Sequence, residues 1–280
     1  MSRKRKIIAI TYANELFTKA AKLNKRRAIK VGGADEAIIY TPDDIDSDFK
    51  QKNIEILSQE KGNGYWLWKP YFIYKTLNSM DEGDILFYTD AASVCIDSIG
   101  KLVDAMEKEN QKQMIFSLGT VRIESEYTKR DAFILMSCDE EEICKTPQAD
   151  GAAILLVNNS RNREFCRKYL EYSQDKRILT DIENVMGKKN YPDFKMHRHD
   201  QAVLSLLAKR EGFLFFRDPS QYGVSSIYDE SVLKRSDYPQ ILNHHRLAKA
   251  NNYLYIKIRQ LEIVLMIEYK LYLWQKNRKI

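Results

Sequence analysis

Short runs rich in β-branched and aromatic residues alternate with helix-period segments from residue 7 to about residue 245, and this alternation limits the folds open to the chain. Residues 7–11 read as a strand, and 13–30 then carry Leu16, Phe17, Ala20, Ala21 and Leu23 at helical spacing. A second strand, 37–41, follows Gly32-Gly33 and stops at the turn signal Pro42-Asp43-Asp44. Strand, helix, strand is the opening of an α/β domain with a parallel sheet. Further strands are predicted at 84–89, 114–118, 152–157 and 213–216, and helices at about 71–78, 99–110, 129–137, 160–172 and 201–209. No internal repeat and no Gly/Ser-rich linker interrupts the pattern, so one α/β domain is expected over residues 1–246.

The 280 residues, 44% of them hydrophobic, suffice for one substantial core but not for two large domains. No apolar run reaches the roughly 18 to 20 residues of a spanning helix. The run Ile7-Ile8-Ala9-Ile10 after the basic first residues is too short for a signal peptide, which points to the cytoplasm. Cys95, Cys138, Cys144 and Cys166 form no C-x-x-C spacing and read as reduced structural thiols rather than a zinc cluster. The net charge of +6 gathers at residues 3–6, 25–27 and 276–279. That distribution suits phosphates or an anionic membrane surface better than a nucleic-acid stripe, so nucleic acid is not an expected partner.

Several segments carry groups able to do chemistry. The strand at 84–89 ends in Asp90 followed by Ala91 and Ala92. Ligands of an open α/β sheet bind at the carboxyl ends of its strands, where a carboxylate can hold a divalent cation; a turn-forming aspartate would look the same. In Gly64-Tyr-Trp-Leu-Trp-Lys69-Pro70, aromatics flank a lysine, with Pro70 in the first turn of a helix. The ammonium and helix amides favour an anion and the rings favour a base or sugar, while an aromatic wedge in the core is the plainer reading. Lys129 and Arg130 follow Thr128, a candidate helix cap; two cations there oppose the helix dipole and suggest an anionic ligand or a solvated basic face. Asp150-Gly151 stands just before a buried strand, leaving room for a ring to approach the backbone. His197-Arg-His199-Asp200-Gln201 groups two imidazoles, an acid and an amide, although Asp200 could simply cap the next helix. His244 and His245, in Asn243-His-His-Arg246, complete the chain's four histidines.

Taken together, GYWLWKP at 64–70, LFYTDA at 86–91, TKRD at 128–131, QADGAAILLVNN at 148–159 and HRHDQ at 197–201 resemble a family of bacterial glycosyltransferases from capsule and lipopolysaccharide gene clusters. The resemblance spans about residues 5–246, and the layout is also similar to glycogenin-like members of the GT-A superfamily. It implies a single GT-A, Rossmann-like domain with a mixed central sheet that transfers a sugar, favouring a UDP-sugar, from a nucleoside diphosphate donor to a glycan or lipid-linked glycan. By that likeness Asp90 takes the first position of a D-x-D motif. Asp200 and Gln201 are the catalytic pair beside the reacting carbon, with retention ahead of inversion. Thr11, Tyr12, Trp68, Lys69, Tyr88, Asp90, Ala91, Ala92, Lys129, Arg130, Asp150, Gly151 and His199 surround the donor.

Asp90 with His244 or His245 would hold Mn²⁺ or Mg²⁺. Ala92 stands where the second acid of D-x-D belongs, which puts the metal in question. Lys69, Lys129 and Arg130 could instead stabilise a departing diphosphate. A nucleotide-sugar-binding or nucleotidyl-transferring protein is the alternative, although residues 10–14 lack the Gly-rich basic loop of nucleotidyltransferases. A nucleic-acid binder is a third reading that rests only on the basic termini.

Residues 247–280 change character, rich in Tyr, Leu, Ile, Lys and Arg without Gly or Pro. Leu254, Ile258, Leu261, Ile263, Leu265 and Ile267 give an apolar face flanked by Lys257, Arg259, Lys270 and residues 276–279, with Tyr272 and Trp274 near the end. An interfacial helix on the inner leaflet has this composition; so does a helix packed on its own domain or on a second subunit.

Overall fold

The computed structural model describes residues 5–261 and 266. Its strands are β1 (Ile7–Tyr12), β2 (Glu36–Tyr40), β3 (Ile85–Thr89), β4 (Ser93–Cys95), β5 (Gln113–Ser117), β6 (Ala149–Val157), β7 (Phe215–Arg217) and β8 (Leu242–His244). Six of them form one sheet in the order β2-β1-β3-β6-β5-β7, and β4 pairs with β8 in a small second sheet. β1 is parallel to β2 and β3, β5 is parallel to β7, and β6 runs antiparallel between β3 and β5. The chain is therefore α/β with a mixed central sheet, as expected.

Alternation along the strands builds a core on each face of the sheet. Ile8, Ile10, Leu86, Tyr88, Ile154 and Leu156 point to one face, where they meet residues of the helices Trp68–Ser79, Ser160–Ser173 and His199–Arg210. Ala9, Ile85, Phe87, Ala153, Leu155 and Val157 point to the other, under the helix Gly100–Lys108. The helix Thr18–Lys30 packs beside β1, β2 and β4. All four cysteines are buried and free, and burial pushes the Cys95 thiol up to about 12 and the Cys138 thiol to about 11.

Three local readings are corrected. β6 begins at Ala149, so Asp150 and Gly151 lie inside the strand rather than before it. The helix after Thr128 runs Arg130–Leu135, and Thr128 does not cap it, because its hydroxyl donates to buried Glu124 at 2.7 Å. The helix expected from Gln201 starts at His199, which places Asp200 in its first turn, where the dipole favours a carboxylate, and not at the cap. The three-residue strands β4 and β8 are too short to show a period in the sequence.

Beyond β8, Leu247, Ala250, Tyr253 and Ile256 pack on Leu23 and Val94, and the Arg27 guanidinium lies 4.2 Å from the Tyr253 ring centre. This part of the tail rests on its own domain. The chain is helical over 253–261, with Leu254, Ile258 and Leu261 exposed. Ile263, Leu265, Ile267, Lys270, Tyr272, Trp274 and residues 276–279 lie outside the described residues. Among the described residues no helix is long and apolar enough to cross a membrane.

Candidate active site

Strand direction decides where the acids meet. β3 and β7 run the same way, so Asp90 and Asp218, each the residue after its strand, come out at the same edge of the sheet. β6 is reversed, so its beginning, with Asp150 and Gly151, lies at that edge too. A cleft of about 670 Å³ opens there, lined among others by Lys69, Asp90, Ala92, Asp150, Gly151, His199, Asp200, Gln201 and His244. Asp90 and the 199–201 cluster, far apart in sequence, thus share one cavity.

In the cleft, Lys69 is buried with its Nζ 2.6 Å from Asp200 Oδ2, 2.9 Å from the Gly151 carbonyl and 3.7 Å from Asp90 Oδ1. Burial alone would push the ammonium down, but Asp200, Asp90 and Asp150 together outweigh it and hold its pKa above the ordinary value. Burial pushes the Asp200 carboxyl up, with Lys69 pulling the other way. The expectation that Lys69 contacts donor phosphate gives way to a different role, because its ammonium is buried against the Asp200 carboxylate and the Gly151 carbonyl. Lys69 positions Asp200.

Gln201 is held as firmly. Its amide nitrogen donates to Gln148 Oε1 at 2.6 Å, and the Gln148 nitrogen donates to Glu124 Oε2 at 3.2 Å. Glu124 is completely buried and also takes Lys209 at 2.6 Å and the Ser205 hydroxyl. Gly151 faces Gln201 so closely that a Cβ there would come within 3.1 Å of the glutamine Cβ.

Next to this cluster, Asp150, Asp218 and His244 bring one ligand atom each to within 4.8 Å of one another. Asp150 Oδ2 and His244 Nε2 are buried without a hydrogen-bond partner, 3.9 Å apart. Burial, then the neighbouring Asp218, pushes the Asp150 carboxyl well up, and burial holds His244 below its ordinary value and so neutral. Two carboxylates and a neutral imidazole are a donor set for a divalent transition metal such as Mn²⁺.

Of the ligands expected from the sequence, His244 belongs to this group, and Asp90 and His245 do not. Asp90 Oδ1 accepts from the Tyr88 hydroxyl at 2.6 Å, and His245 accepts from the Leu247 amide and does not line the cleft.

Other expected donor contacts also fall elsewhere. Tyr12 stacks on Trp68 at 3.9 Å, both buried, and Trp68 Nε1 donates to the Gly62 carbonyl, so this pair is the aromatic wedge. Thr11, Tyr88 and Ala91 are buried behind the cleft wall and do not line it. Lys129 donates to the carbonyls of Thr180 and Ile182, and Arg130 pairs with Asp139 at 2.7 Å, so neither basic residue reaches the cleft. His199 does line it, stacked on Trp66 at 5.4 Å with Nδ1 on the Leu179 carbonyl at 2.9 Å.

The cleft also contains residues that sequence reasoning passed over. Arg122, Arg198 and Arg246 supply cationic lining, and Tyr222 stacks toward His244. Arg198 and Arg246 sit inside the two histidine motifs and could have been read there. Asp218 in Arg217-Asp-Pro-Ser220 looks like any turn former.

Three solved structures are similar to this chain. Mouse xyloside xylosyltransferase 1, apo form, is 10% identical with a TM-score of 0.43, covering 88% of this chain and 99% of that one. The galactosyltransferase LgtC in complex with donor and acceptor sugar analogues is 13% identical with a TM-score of 0.47, covering 85% and 86%. The WbbM bifunctional glycosyltransferase, apo structure, is 8% identical with a TM-score of 0.49, covering 87% and 46%. No family model matches the sequence, and no curated protein does.

Proposed function

We propose that the chain is a glycosyltransferase that moves a hexose from a nucleoside diphosphate donor, with a UDP-sugar favoured, to a hydroxyl of a glycan or lipid-linked glycan in surface polysaccharide synthesis. The observation that carries this reading is the convergence of Asp90, Asp150 and the Asp200-Gln201 pair on one cleft whose other wall is cationic. Arg122, Arg198 and Arg246 take the place first given to Lys69, Lys129 and Arg130 and face the leaving diphosphate. Asp200 and Gln201, fixed by Lys69 and Gln148, face the anomeric carbon and stabilise positive charge developing there. Retention is placed ahead of inversion, and the anomeric configuration of the product decides between them. A divalent ion, where one binds, would sit at Asp150, Asp218 and His244 and neutralise diphosphate charge.

Asp200→Asn is expected to lower turnover by at least about a thousandfold while the chain still folds; near-normal turnover removes Asp200 from the mechanism. A thermal-shift screen of UDP-, GDP-, CMP- and dTDP-sugars identifies the nucleotide, because a ligand of the native state raises its apparent stability. For the lipid-linked acceptor, the exposed Leu254, Ile258 and Leu261 support an interfacial role of the tail at the inner leaflet. Equal flotation with anionic liposomes by the full chain and by a variant carrying Leu254→Ser, Ile258→Ser and Leu261→Ser would discard that part.

A further inference from the structure

We infer that Asp150, Asp218 and His244 form a divalent-cation site of this chain's own, displaced from the strand-end acid Asp90. Each member commits one side-chain atom to the surrounding protein and leaves the other for a shared point. Asp150 Oδ1 accepts from the Ala152 amide at 3.0 Å, and Asp218 Oδ1 accepts from the Ser220 amide at 2.7 Å. His244 Nδ1 is bonded to the Ser93 hydroxyl, its partner across the β4–β8 pair. A hydrogen bond to the far ring nitrogen sets the ring's orientation and leaves Nε2 as the outward atom. The remaining atoms include Asp150 Oδ2 and His244 Nε2, buried and unpartnered at 3.9 Å, too far for a hydrogen bond to each other.

Charge points the same way. Two buried carboxyl groups share this point, and among the described residues no lysine or arginine forms an ion pair with either. An uncompensated buried pair is costly unless a proton or a cation joins it. A divalent ion matches the charge, and the mixed oxygen and imidazole set favours Mn²⁺ over Mg²⁺ or Ca²⁺. Three protein donors at the wall of an open cleft leave coordination positions for a ligand.

Asp90 differs in its surroundings. It lies 3.7 Å from the Lys69 ammonium with a half-exposed side chain, it is not part of the Asp150, Asp218 and His244 group, and Ala92 offers no second carboxylate beside it. The acid missing from the D-x-D position is replaced by two acids from other strands. The ion's role in catalysis rests on the transferase reading, whereas its binding does not.

The test is a Mn²⁺ titration of chelator-treated full-length protein, followed by electron paramagnetic resonance with no nucleotide sugar present. The wild type should bind one ion per chain and show nitrogen coupling from an imidazole. Asp150→Asn, Asp218→Asn and His244→Gln should each weaken binding by at least about a hundredfold, and His244→Gln should abolish the coupling. Asp90→Asn should change the affinity by less than about threefold, as a charge acting only through space near water does. The assignment is overturned if the wild type takes up no ion at millimolar Mn²⁺, as a proton-sharing or water-filled pocket would behave. It is equally overturned if Asp90→Asn abolishes binding while Asp218→Asn keeps it. Should a variant fail to fold, the wild-type nitrogen coupling decides alone, and its absence overturns the assignment. Uptake of Mn²⁺ by a protein that then transfers no sugar would reject the transferase reading and leave the site standing.

Discussion

Two neighbouring clusters in the cleft treat buried charge in opposite ways. Around Lys69 the fold supplies the counterion itself, one ammonium set among Asp200, Asp90 and the Gly151 carbonyl. Around Asp150 two acids and an imidazole face one another with polar atoms left unpartnered. On the proposed reading, the Asp200-Gln201 pair is prepared in advance and the Asp150 cluster takes up a cation.

Three outcomes would break or sharpen this contrast. The largest is expected for Lys69→Met, which strands Asp200 in the interior and should cost about 4 kcal/mol in urea unfolding. Adding Asp200→Asn should recover much of that loss, and strictly additive losses would mean that the two charges are not balancing each other.

Acid comes next. His197 and His199, whose rings fasten the segment before Asp200 to the carbonyls of Ile178 and Leu179, are held below their ordinary value chiefly by burial. A histidine with a lowered folded pKa is neutral in the fold and takes up a proton on unfolding. Its contribution is complete above the ordinary value near 6.5 and is lost as pH falls below it, by up to about 1.4 kcal/mol per pH unit for each ring. Unfolding at pH 8 and pH 5.5 measures this, and a flat profile would show that protons reach the rings in the folded state.

The smallest effect belongs to Asp150→Asn in metal-free protein near pH 7. It should change stability by less than about 1 kcal/mol, since burial and Asp218 already favour the neutral form of this carboxyl, which an amide resembles. A loss as large as that of Lys69→Met would erase the distinction between the two clusters.

Much of the fold was legible because its strands and helices are long enough to show their periods: each strand of the large sheet lies within a few residues of its predicted span. Of the site, Asp90, Asp200 and Gln201 could be read from where they fall relative to strand and helix ends. What could not be read depends on pairing across the chain. His244, the last residue of β8, lines the cleft and His245 just beyond it does not, which a His-His dipeptide cannot reveal. Asp218 matters only because β7 joins the sheet beside β5. Lys129 and Arg130 suggested a ligand because two cations at a helix start lack a local reason. The reason is distant in sequence or hidden in a turn: the carbonyls of residues 180 and 182, and Asp139.

The backward course of β6 has a consequence for how such a chain can diversify. β5 ends and β6 begins on the same rim of the sheet, so residues 118–148 leave and return without passing to the opposite side. That excursion supplies Leu118, Val121 and Arg122 to the wall and Gln148 behind it. Exchanging Leu118, Val121 and Arg122 near its start would remodel what the cavity admits, whereas Glu124, Phe133, Met136 and Cys138 further along are buried and tie the excursion to the core.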